Sequence, residues 1–313
     1  MQNGLKTKMF VLALFLLLVG YSFAQDTLSF LHISDSHVIF NLEFYQDDLA
    51  ENRKNYKNGV MSLETFLNIM PQKTGSDWVV ATGDLIDFYE GESRWGEMLD
   101  GQIEQFVRLT EKCKVPCFLT LGNHDVVSYS WGEGERISHQ YNAEKARVEW
   151  TRNASCFKDG RYYSKMLHIG ESSFRFIFID DGYYDFSHEE EIVLPYVDKE
   201  QLHWLEAELS ESASDIEIIF MHIPFSAEGT RSGEFGELFS VLAACSSVAL
   251  VLAGHNHKNV IRKFPVEKGG VVTQVQTGAF ASNPENWRQI KVTGDCILVS
   301  QPGSTGEELK IEF

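Results

Sequence analysis

The chain has 313 residues, which is enough for one large domain or at most two. Hydrophobic residues make up 43% of the sequence and charged residues 23%, which excludes a chain that is disordered over a large part of its length. The formal net charge is −18 and no basic run interrupts it, which argues against a protein that binds long nucleic acids.

The first 24 residues have the pattern of a secretory signal peptide. Lys6 and Lys8 precede an apolar run over 9–20, and Ser22 and Ala24 stand at the −3 and −1 positions of a small-residue cleavage site. The run is shorter than the roughly 20 residues that span a hydrocarbon core, which disfavours a membrane anchor. We therefore predict cleavage after Ala24 and an exported protein, periplasmic or extracellular, without stable membrane insertion.

The next part of the chain alternates apolar, β-rich runs with helical patterns. In chain order it predicts a strand at 28–34, a helix at 59–70, a strand at 78–82, a helix at 98–113 and a strand at 117–121. This βαβαβ series implies right-handed crossovers and a largely parallel sheet.

A polar and aromatic segment around 126–160 interrupts the alternation, and we interpret it as an insertion. Beyond it we predict strands at 161–169 and 173–180, a helix at 198–210, a strand at 216–222, a helix near 236–246, a strand at 248–254 and four short strands in the tail. The simplest reading is an α/β fold in which 25–313 form one domain with two packed sheets and flanking helices.

Five cysteines occur, at positions 113, 117, 156, 245 and 296, so they cannot all pair within the chain. Their spacing does not resemble a zinc knuckle. Cys113 and Cys117 flank a predicted helix-to-strand junction. They could form a disulfide in an oxidising compartment, or remain two buried thiols.

Five predicted buried strands end directly in Asp, Asn or His. These strand ends are Asp35-Ser36-His37, Gly83-Asp84, Gly122-Asn123-His124-Asp125, His222, and His255-Asn256-His257. In open α/β sheets the ligand crevice lies outside the carboxyl ends of the strands, so we expect these side chains to converge.

The side chains at these strand ends are oxygen and imidazole donors, which suit Mn, Fe or Zn and exclude a soft thiolate site. They are numerous enough for two divalent or trivalent ions. A carboxylate can bridge two metals, and Asp84 suits that role because the glycine before it allows close backbone approach. Asp35 and His37 share an i, i+2 spacing with which a strand end can chelate one ion.

The set resembles the calcineurin-like metallophosphoesterase family, which includes purple acid phosphatases and cyclic-nucleotide phosphodiesterases. The family pattern D-x-H, G-D, G-N-H-D/E, a lone H and G-H-x-H is present in order from Asp35 to His257. The resemblance implies a four-layer α/β/β/α sandwich of two mixed sheets flanked by helices.

The resemblance also implies a role for each residue. The first ion would be held by Asp35, His37, Asp84 and His257, and the second by Asp84, Asn123, His222 and His255. His124 would act as the general acid on the leaving oxygen, and Asp125 would orient His124 or raise its basicity.

The implied reaction is attack on phosphorus by a hydroxide that bridges the two metals. Purple acid phosphatases carry a tyrosine ligand three residues after the bridging aspartate, whereas this sequence has Asp87 there. This difference favours the phosphodiesterase-type branches. We expect Asp87 to be a hydrogen-bonding group behind the ligands.

We therefore predict an exported, metal-dependent phosphoesterase that acts on small phosphate esters, with a phosphodiesterase as the first hypothesis. A phosphomonoesterase is the alternative within the class. A nuclease and a metal-bound binding protein without turnover are more distant alternatives. The sequence does not indicate the physiological substrate, the identity of the metal or the oligomeric state.

Overall fold

Two six-stranded mixed sheets form the centre of the fold. The computed structural model describes residues 25–56, 59–184, 195–212, 214–225, 234–266 and 270–313. The predicted signal peptide lies outside the described residues. Within them, no helix is long and apolar enough to cross a membrane.

The strands are, in chain order, β1 (Thr27–Ile33), β2 (Trp78–Thr82), β3 (Glu90–Glu92), β4 (Met98–Leu99), β5 (Cys117–Thr120), β6 (Ser128–Gly132), β7 (Glu135–His139), β8 (Tyr163–Ile169), β9 (Ser172–Phe178), β10 (Tyr183–Tyr184), β11 (Pro195–Tyr196), β12 (Asp215–Phe220), β13 (Val248–Ala253), β14 (Val260–Pro265), β15 (Val271–Gln276), β16 (Arg288–Thr293), β17 (Cys296–Ser300) and β18 (Glu307–Glu312). The α-helices are α1 (Asp47–Asn52), α2 (Gly59–Thr74), α3 (Gln102–Thr110), α4 (Ala143–Asn153), α5 (Lys199–Glu211) and α6 (Glu234–Ala244). Short 3-10 turns cover Leu42–Phe44, His124–Val126 and Ser155–Phe157.

The first sheet has the strand order β18-β17-β16-β1-β2-β5. The strands β1, β2 and β5 are parallel, as the βαβαβ pattern predicts. The tail strands β16, β17 and β18 extend this sheet in antiparallel fashion beyond β1. The sheet is therefore mixed, because half of its strands come from the carboxyl-terminal tail.

The second sheet has the order β14-β15-β13-β12-β9-β8. Its inner strands β9, β12, β13 and β15 are parallel, and β8 and β14 close its edges in antiparallel fashion. The inner strands are buried on both faces, which explains why they appear in the sequence as continuous apolar runs.

The main core contains aromatic side chains of both sheets. Phe30 from the first sheet lies 5.7 Å from Phe220 of the second, between ring centroids, and Phe220 stacks on Phe178 at 4.5 Å. A second apolar cluster joins the second sheet to α5 and α6, through Leu205 and Leu238 among others. Helices α2 and α3 cover the first sheet. The four-layer α/β/β/α sandwich is confirmed.

The predicted insertion does not stand apart from the rest of the chain. Strands β6 and β7 join β3 and β4 in a four-stranded sheet, which the sequence did not predict. This sheet has its own small core, in which Tyr45, Phe88 and Tyr129 pack together. Helix α4 sends Trp150 into the main core, where its indole N–H donates to the Asp125 carbonyl at 3.0 Å.

Most predicted elements are present, with shifted ends. The strand at 78–82 has the predicted limits. The helix predicted at 98–113 is shorter, because Met98–Leu99 form β4 and Gly101, with φ 102°, precedes its first turn. The final strand β18 was missed. Cys113 and Cys117 are free thiols in the structure.

Candidate metal centre

The predicted ligands lie in loops that follow β1, β2, β5, β12 and β13, at one edge of the two sheets. Five of them have left-handed backbone conformations: φ is 54° at Asp35, 40° at His37, 48° at Asp84, 66° at His255 and 56° at His257. Residues other than glycine rarely adopt this backbone conformation, and those that do cluster at functional sites. The fold holds these five side chains in place at a cost in backbone strain.

Two motif glycines allow the loops to approach one another closely. A Cβ at Gly83 would lie 2.5 Å from the ring of His222, and Gly83 also has φ +73°. A Cβ at Gly254 would lie 1.7 Å from Ser34 Oγ and 2.4 Å from Asp35 Oδ2. These distances are far inside van der Waals contact, so the ligand loops can meet only if both positions lack a side chain.

Asp35, His37 and His257 form the first group of potential ligands. His257 Nε2 lies 3.3 Å from Asp35 Oδ1 and 3.3 Å from His37 Nε2. Asp35 and His37 are buried, whereas His257 is partly exposed. Asp35 also accepts from the backbone N–H of His255 at 3.1 and 3.0 Å, which ties the β1 loop to the β13 loop.

Asp84, His222 and His255 form the second group. His222 Nε2 lies 3.2 Å from Asp84 Oδ2 and 3.3 Å from His255 Nδ1. The other ring nitrogen of His222 lies 2.8 Å from the Thr82 carbonyl, to which only an N–H can donate. When His222 carries a single proton, on Nδ1, the lone pair of Nε2 therefore faces the group.

Asp84 connects the two groups through one oxygen atom. Its Oδ2 lies 3.5 Å from His37 Nε2 in the first group and 3.2 Å from His222 Nε2 in the second. Its Oδ1 accepts from the backbone N–H of His124 at 2.8 Å. The carboxylate is thus oriented by its neighbour, and Oδ2 faces a histidine of each group.

Asn123 supplies the remaining predicted ligand. Its Oδ1 is buried without a hydrogen-bond partner among the described residues. A buried carbonyl oxygen without a partner is costly, and a cation would satisfy it. Together with imidazole nitrogens that face one another and with buried carboxylates, this oxygen fits a pair of hard or borderline metal ions.

The electrostatics of the site also suit cations. Burial would lower the pKa of His222, but the adjacent Asp84 carboxylate overcomes it and raises the pKa to about 10. Burial and the charge of His222 lower the pKa of His255 to about 4. Burial opposes ionisation of Asp84, yet the surrounding histidines hold its pKa well below the ordinary value. The carboxylates thus stabilise positive charge at this edge.

His124 lies outside the two predicted ligand groups, although it forms a third cluster of potential ligands with His37 and Asp87. Its ring centroid is 4.6 Å from that of His37, and its side chain is 23% exposed. Nδ1 lies 2.8 Å from the Asp87 carbonyl oxygen and 3.2 Å from the hydroxyl of Tyr129. An N–H at Nδ1 donates to the carbonyl, which leaves Nε2 as the ring nitrogen available for proton transfer.

The prediction that Asp125 orients His124 is wrong. Asp125 Oδ1 accepts from the backbone N–H groups of Leu85 and Ile86 at 2.9 and 3.0 Å, and Oδ2 accepts from Gly122 N–H at 2.7 Å. His124 and Asp125 follow each other in a 3-10 turn, so their side chains diverge. Asp125 instead braces the backbone between the β2 and β5 loops.

Asp87 lies next to the rings of His37 and His124, and its role as a hydrogen-bonding group behind the ligands stays a prediction. Its Oδ1 is 3.1 Å from His37 Nδ1 and 3.7 Å from His124 Nδ1. Both carboxylate oxygens accept from Arg53 Nε at 3.0 Å. Burial disfavours the charged form, but His37, His124 and Arg53 hold the pKa of Asp87 below its usual range. The Asp87 carboxylate therefore lies next to Nδ1 of His37 and Nδ1 of His124. These are the ring nitrogens that face away from the first ligand group.

The sequence interpretation missed three groups at the site. Arg53 directly follows α1 and Tyr129 lies in β6, and no motif identifies either residue. Asp181 accepts from the backbone N–H groups of His222 and Ile223, both at 2.7 Å. It follows directly after a predicted strand, so the strand-end pattern that identified the ligands also applied to it. Burial raises the pKa of Asp181 to about 7.

The comparisons with known proteins agree with this architecture. The sequence model of the calcineurin-like phosphoesterase family matches residues 28–259. A search of curated protein sequences found no significant match.

Three solved structures illustrate the fold similarity. A dimetal phosphatase from Danio rerio is 15% identical, with a TM-score of 0.62, and the match covers 91% of this chain and 99% of that one. GAP50, the anchor in the inner membrane complex of Plasmodium, is 14% identical with a TM-score of 0.56, over 92% and 89%. Purple acid phosphatase PPD1 from yellow lupin (Lupinus luteus) seeds is 15% identical with a TM-score of 0.53, over 93% and 54%. At these identities the similarity shows the fold alone.

Proposed function

The chain belongs to the calcineurin-like phosphoesterase family, and on that premise we propose that it is an exported phosphodiesterase that hydrolyses small phosphate diesters. Family membership implies a metal-dependent hydrolase of phosphate esters. The diester preference, the export and the individual roles of the residues are our proposal.

One observation carries the reaction class. Two groups of Asp and His side chains share Asp84 Oδ2, and a partly exposed histidine stands directly beside them. When bound, two metal ions would supply an activated water and neutralise the phosphoryl oxygens. The residues for the first ion are Asp35, His37, Asp84 and His257, and those for the second are Asp84, Asn123, His222 and His255.

The role of His124 in the proposal is to donate a proton to the leaving oxygen. The Asp87 carbonyl and the Tyr129 hydroxyl hold Nδ1, so the ring presents Nε2 toward substrate. A positioned histidine of this kind contributes about 10²–10⁴-fold to rate. Burial lowers the pKa of His124, against the opposing charges of Asp84 and Asp87. The imidazolium would therefore release its proton readily.

The charge around the site supports a diester over a monoester. At neutral pH a phosphate monoester carries nearly two negative charges, whereas a diester carries one. Arg53 is in contact with the site's side chains, but both oxygens of Asp87 already accept from its Nε. Because Arg53 is paired with Asp87, it offers a dianionic monoester less positive charge than an arginine without an acidic partner would.

A phosphomonoesterase is the second candidate, and the dimetal phosphatase with a TM-score of 0.62 favours it.

A non-catalytic role is less well supported than either kind of hydrolase. GAP50 has a similar fold and is described as an anchor, which illustrates that this fold also occurs in proteins named for attachment. This chain, however, keeps His124 beside a full set of potential ligands. The net charge of −18 counts against long nucleic acids as substrates.

Export rests on the predicted signal peptide over residues 1–24. Expression of the whole chain in a bacterial host, followed by fractionation and amino-terminal sequencing, tests it. A mature protein that begins at Gln25 in the periplasm or medium would support export. An uncleaved chain in the cytoplasm would contradict it.

The substrate test compares bis-p-nitrophenyl phosphate with p-nitrophenyl phosphate. The mature protein is reconstituted with Mn or Zn, and a chelator-treated sample serves as the control. We expect faster cleavage of the diester and loss of both activities with chelator. Faster cleavage of the monoester would favour the phosphatase alternative. No cleavage of either ester, with two metals verified per chain, would contradict the reaction class.

A further inference from the structure

Three of the five cysteines lie around one pocket on the face of the first sheet that the helices cover. Cys113 and Cys117 flank the connection between α3 and β5, and Cys156 comes from the 3-10 turn after α4. They line a pocket of about 330 Å³, whose walls also include Val107, Pro116 and Leu119. All three side chains are partly exposed. None of them belongs to the metal centre.

Two of these thiols lie near each other. The side chains of Cys113 and Cys117 interact, and each changes the pKa of the other. Cys113 also lies 3.4 Å from the Leu67 carbonyl, and Cys117 lies 3.9 Å from the Thr110 carbonyl. Because Cys113 and Cys117 both lie at the wall of one open pocket, a small reagent that enters the pocket can reach either thiol.

Cys156 has different surroundings, although it lines the same pocket. Its thiol hydrogen-bonds with the Leu119 backbone and with Tyr163. Burial raises the pKa of Cys156 to about 11, so the thiol remains protonated. The interaction with Cys117, together with the backbone of Val115 and Lys114, lowers the pKa of Cys113 to about 6. The three thiols thus differ in reactivity.

We propose that Cys113 and Cys117 form a redox-active dithiol that reacts with small disulfides entering this pocket. The Cys113 thiolate attacks one sulfur of the external disulfide, which forms a mixed disulfide and releases one thiolate. Cys117 then loses its proton and attacks the Cys113 sulfur, which releases the second thiolate. The protein gains one disulfide, and the external disulfide is reduced to two thiols.

The new bond would join the connection after α3 to the start of β5. Strand β5 leads through Gly122 to Asn123 and His124, so the bond would brace the strand that carries part of the metal centre. This inference does not depend on the proposed substrate, because neither thiol contacts a predicted ligand.

Intact-mass measurement and peptide mapping test the proposal on the whole mature chain. The protein is reduced with a phosphine, freed of reductant and incubated with oxidised glutathione. We expect the wild type to lose two hydrogens, to retain no glutathione and to yield a Cys113–Cys117 peptide pair. Cys117→Ser should retain one glutathione on Cys113. Cys156→Ser is the matched control and should behave as the wild type does.

Three results would overturn the proposal: a wild type that stays fully reduced, a stable adduct on Cys156 or Cys117 of the wild type, or a Cys156→Ser variant that no longer forms the bond. A second measurement needs no variant. In the reduced wild type, iodoacetamide should alkylate Cys113 about tenfold faster than Cys156, since the thiolate is the reactive form. Equal or slower labelling of Cys113 would also overturn the proposal.

Discussion

Asp84 Oδ2 lies between His37 Nε2, at 3.5 Å, and His222 Nε2, at 3.2 Å, although these histidines follow strands of different sheets. Its other oxygen is held by the backbone N–H of His124 at 2.8 Å. One carboxylate thus aligns the two ligand groups and the proposed general acid. Any substitution of Asp84 should therefore affect both ligand groups and His124.

Asp84→Asn should prevent the binding of a full pair of metals. The amide is neutral and presents at most one oxygen, so it cannot both accept from His124 and face the two histidines with negative charge. We expect fewer than two metals per chain by elemental analysis and a loss of activity of about 100-fold or more. Asp159→Asn, at a carboxylate that is 79% exposed, is the control. An Asp84→Asn variant with full metal content and activity would contradict the bridging role.

His124→Ala should retain both metals and lose most of its turnover on esters with poor leaving groups. His124 is not among the predicted ligands, and a proton donor matters most when the leaving oxygen is basic. We expect a loss of about 10²–10⁴-fold on alkyl esters and a much smaller loss on nitrophenyl esters. His203→Ala, on the exposed side of α5, should be unaffected. An equal loss on both kinds of ester would remove the general-acid assignment.

Asp87→Asn and Asp125→Asn should have different effects, although both aspartates lie near His124. Asp87 contacts the rings of His37 and His124, so its loss should lower kcat by about 10–100-fold in the folded protein, most strongly on poor leaving groups. Asp125 accepts from three backbone N–H groups, so its loss should lower the free energy of unfolding by about 1–3 kcal/mol.

Thermal denaturation and kinetics on two leaving groups separate these effects. If Asp125→Asn showed the leaving-group dependence of His124→Ala at unchanged stability, Asp125 would be the orienting group after all.

Gly254→Ala should destabilise the fold at the metal centre. The added Cβ would overlap Ser34 Oγ and approach Asp35 Oδ2 to 2.4 Å, and both atoms are held by hydrogen bonds. We expect a loss of about 3 kcal/mol or more in the free energy of unfolding, measured by urea denaturation. Gly236→Ala in α6 is the matched control, because a Cβ there meets nothing within 4 Å. It should be neutral or gain about 0.5–1 kcal/mol. Equal stabilities would show that the ligand loops can separate.

The sequence by itself determined the fold class and predicted the set of candidate ligands. Strand ends are set by local apolar runs, and parallel strands bring their carboxyl ends to one edge, so Asp35, Asp84 and His222 could be predicted to converge. The i, i+2 pairs and the motif glycines could also be recognised in the sequence. They are needed because the ligand loops approach one another closely, and this requirement depends on local backbone geometry. For the same reason the predicted limits of strands such as 78–82 agree with the structure.

Only the tertiary structure decided which groups contact one another. Neighbours in the sequence, such as His124 and Asp125, diverge in a 3-10 turn. Arg53 reaches the site from the end of α1 and Tyr129 from β6. The packing of both elements depends on Tyr45 and Phe88, in a small core of their own. The direction of a side chain depends on φ and ψ and on distant contacts, and residue type alone does not encode it. The same holds for the pocket where Cys113, Cys117 and Cys156 meet, since it forms only when α3, β5 and the turn after α4 pack together.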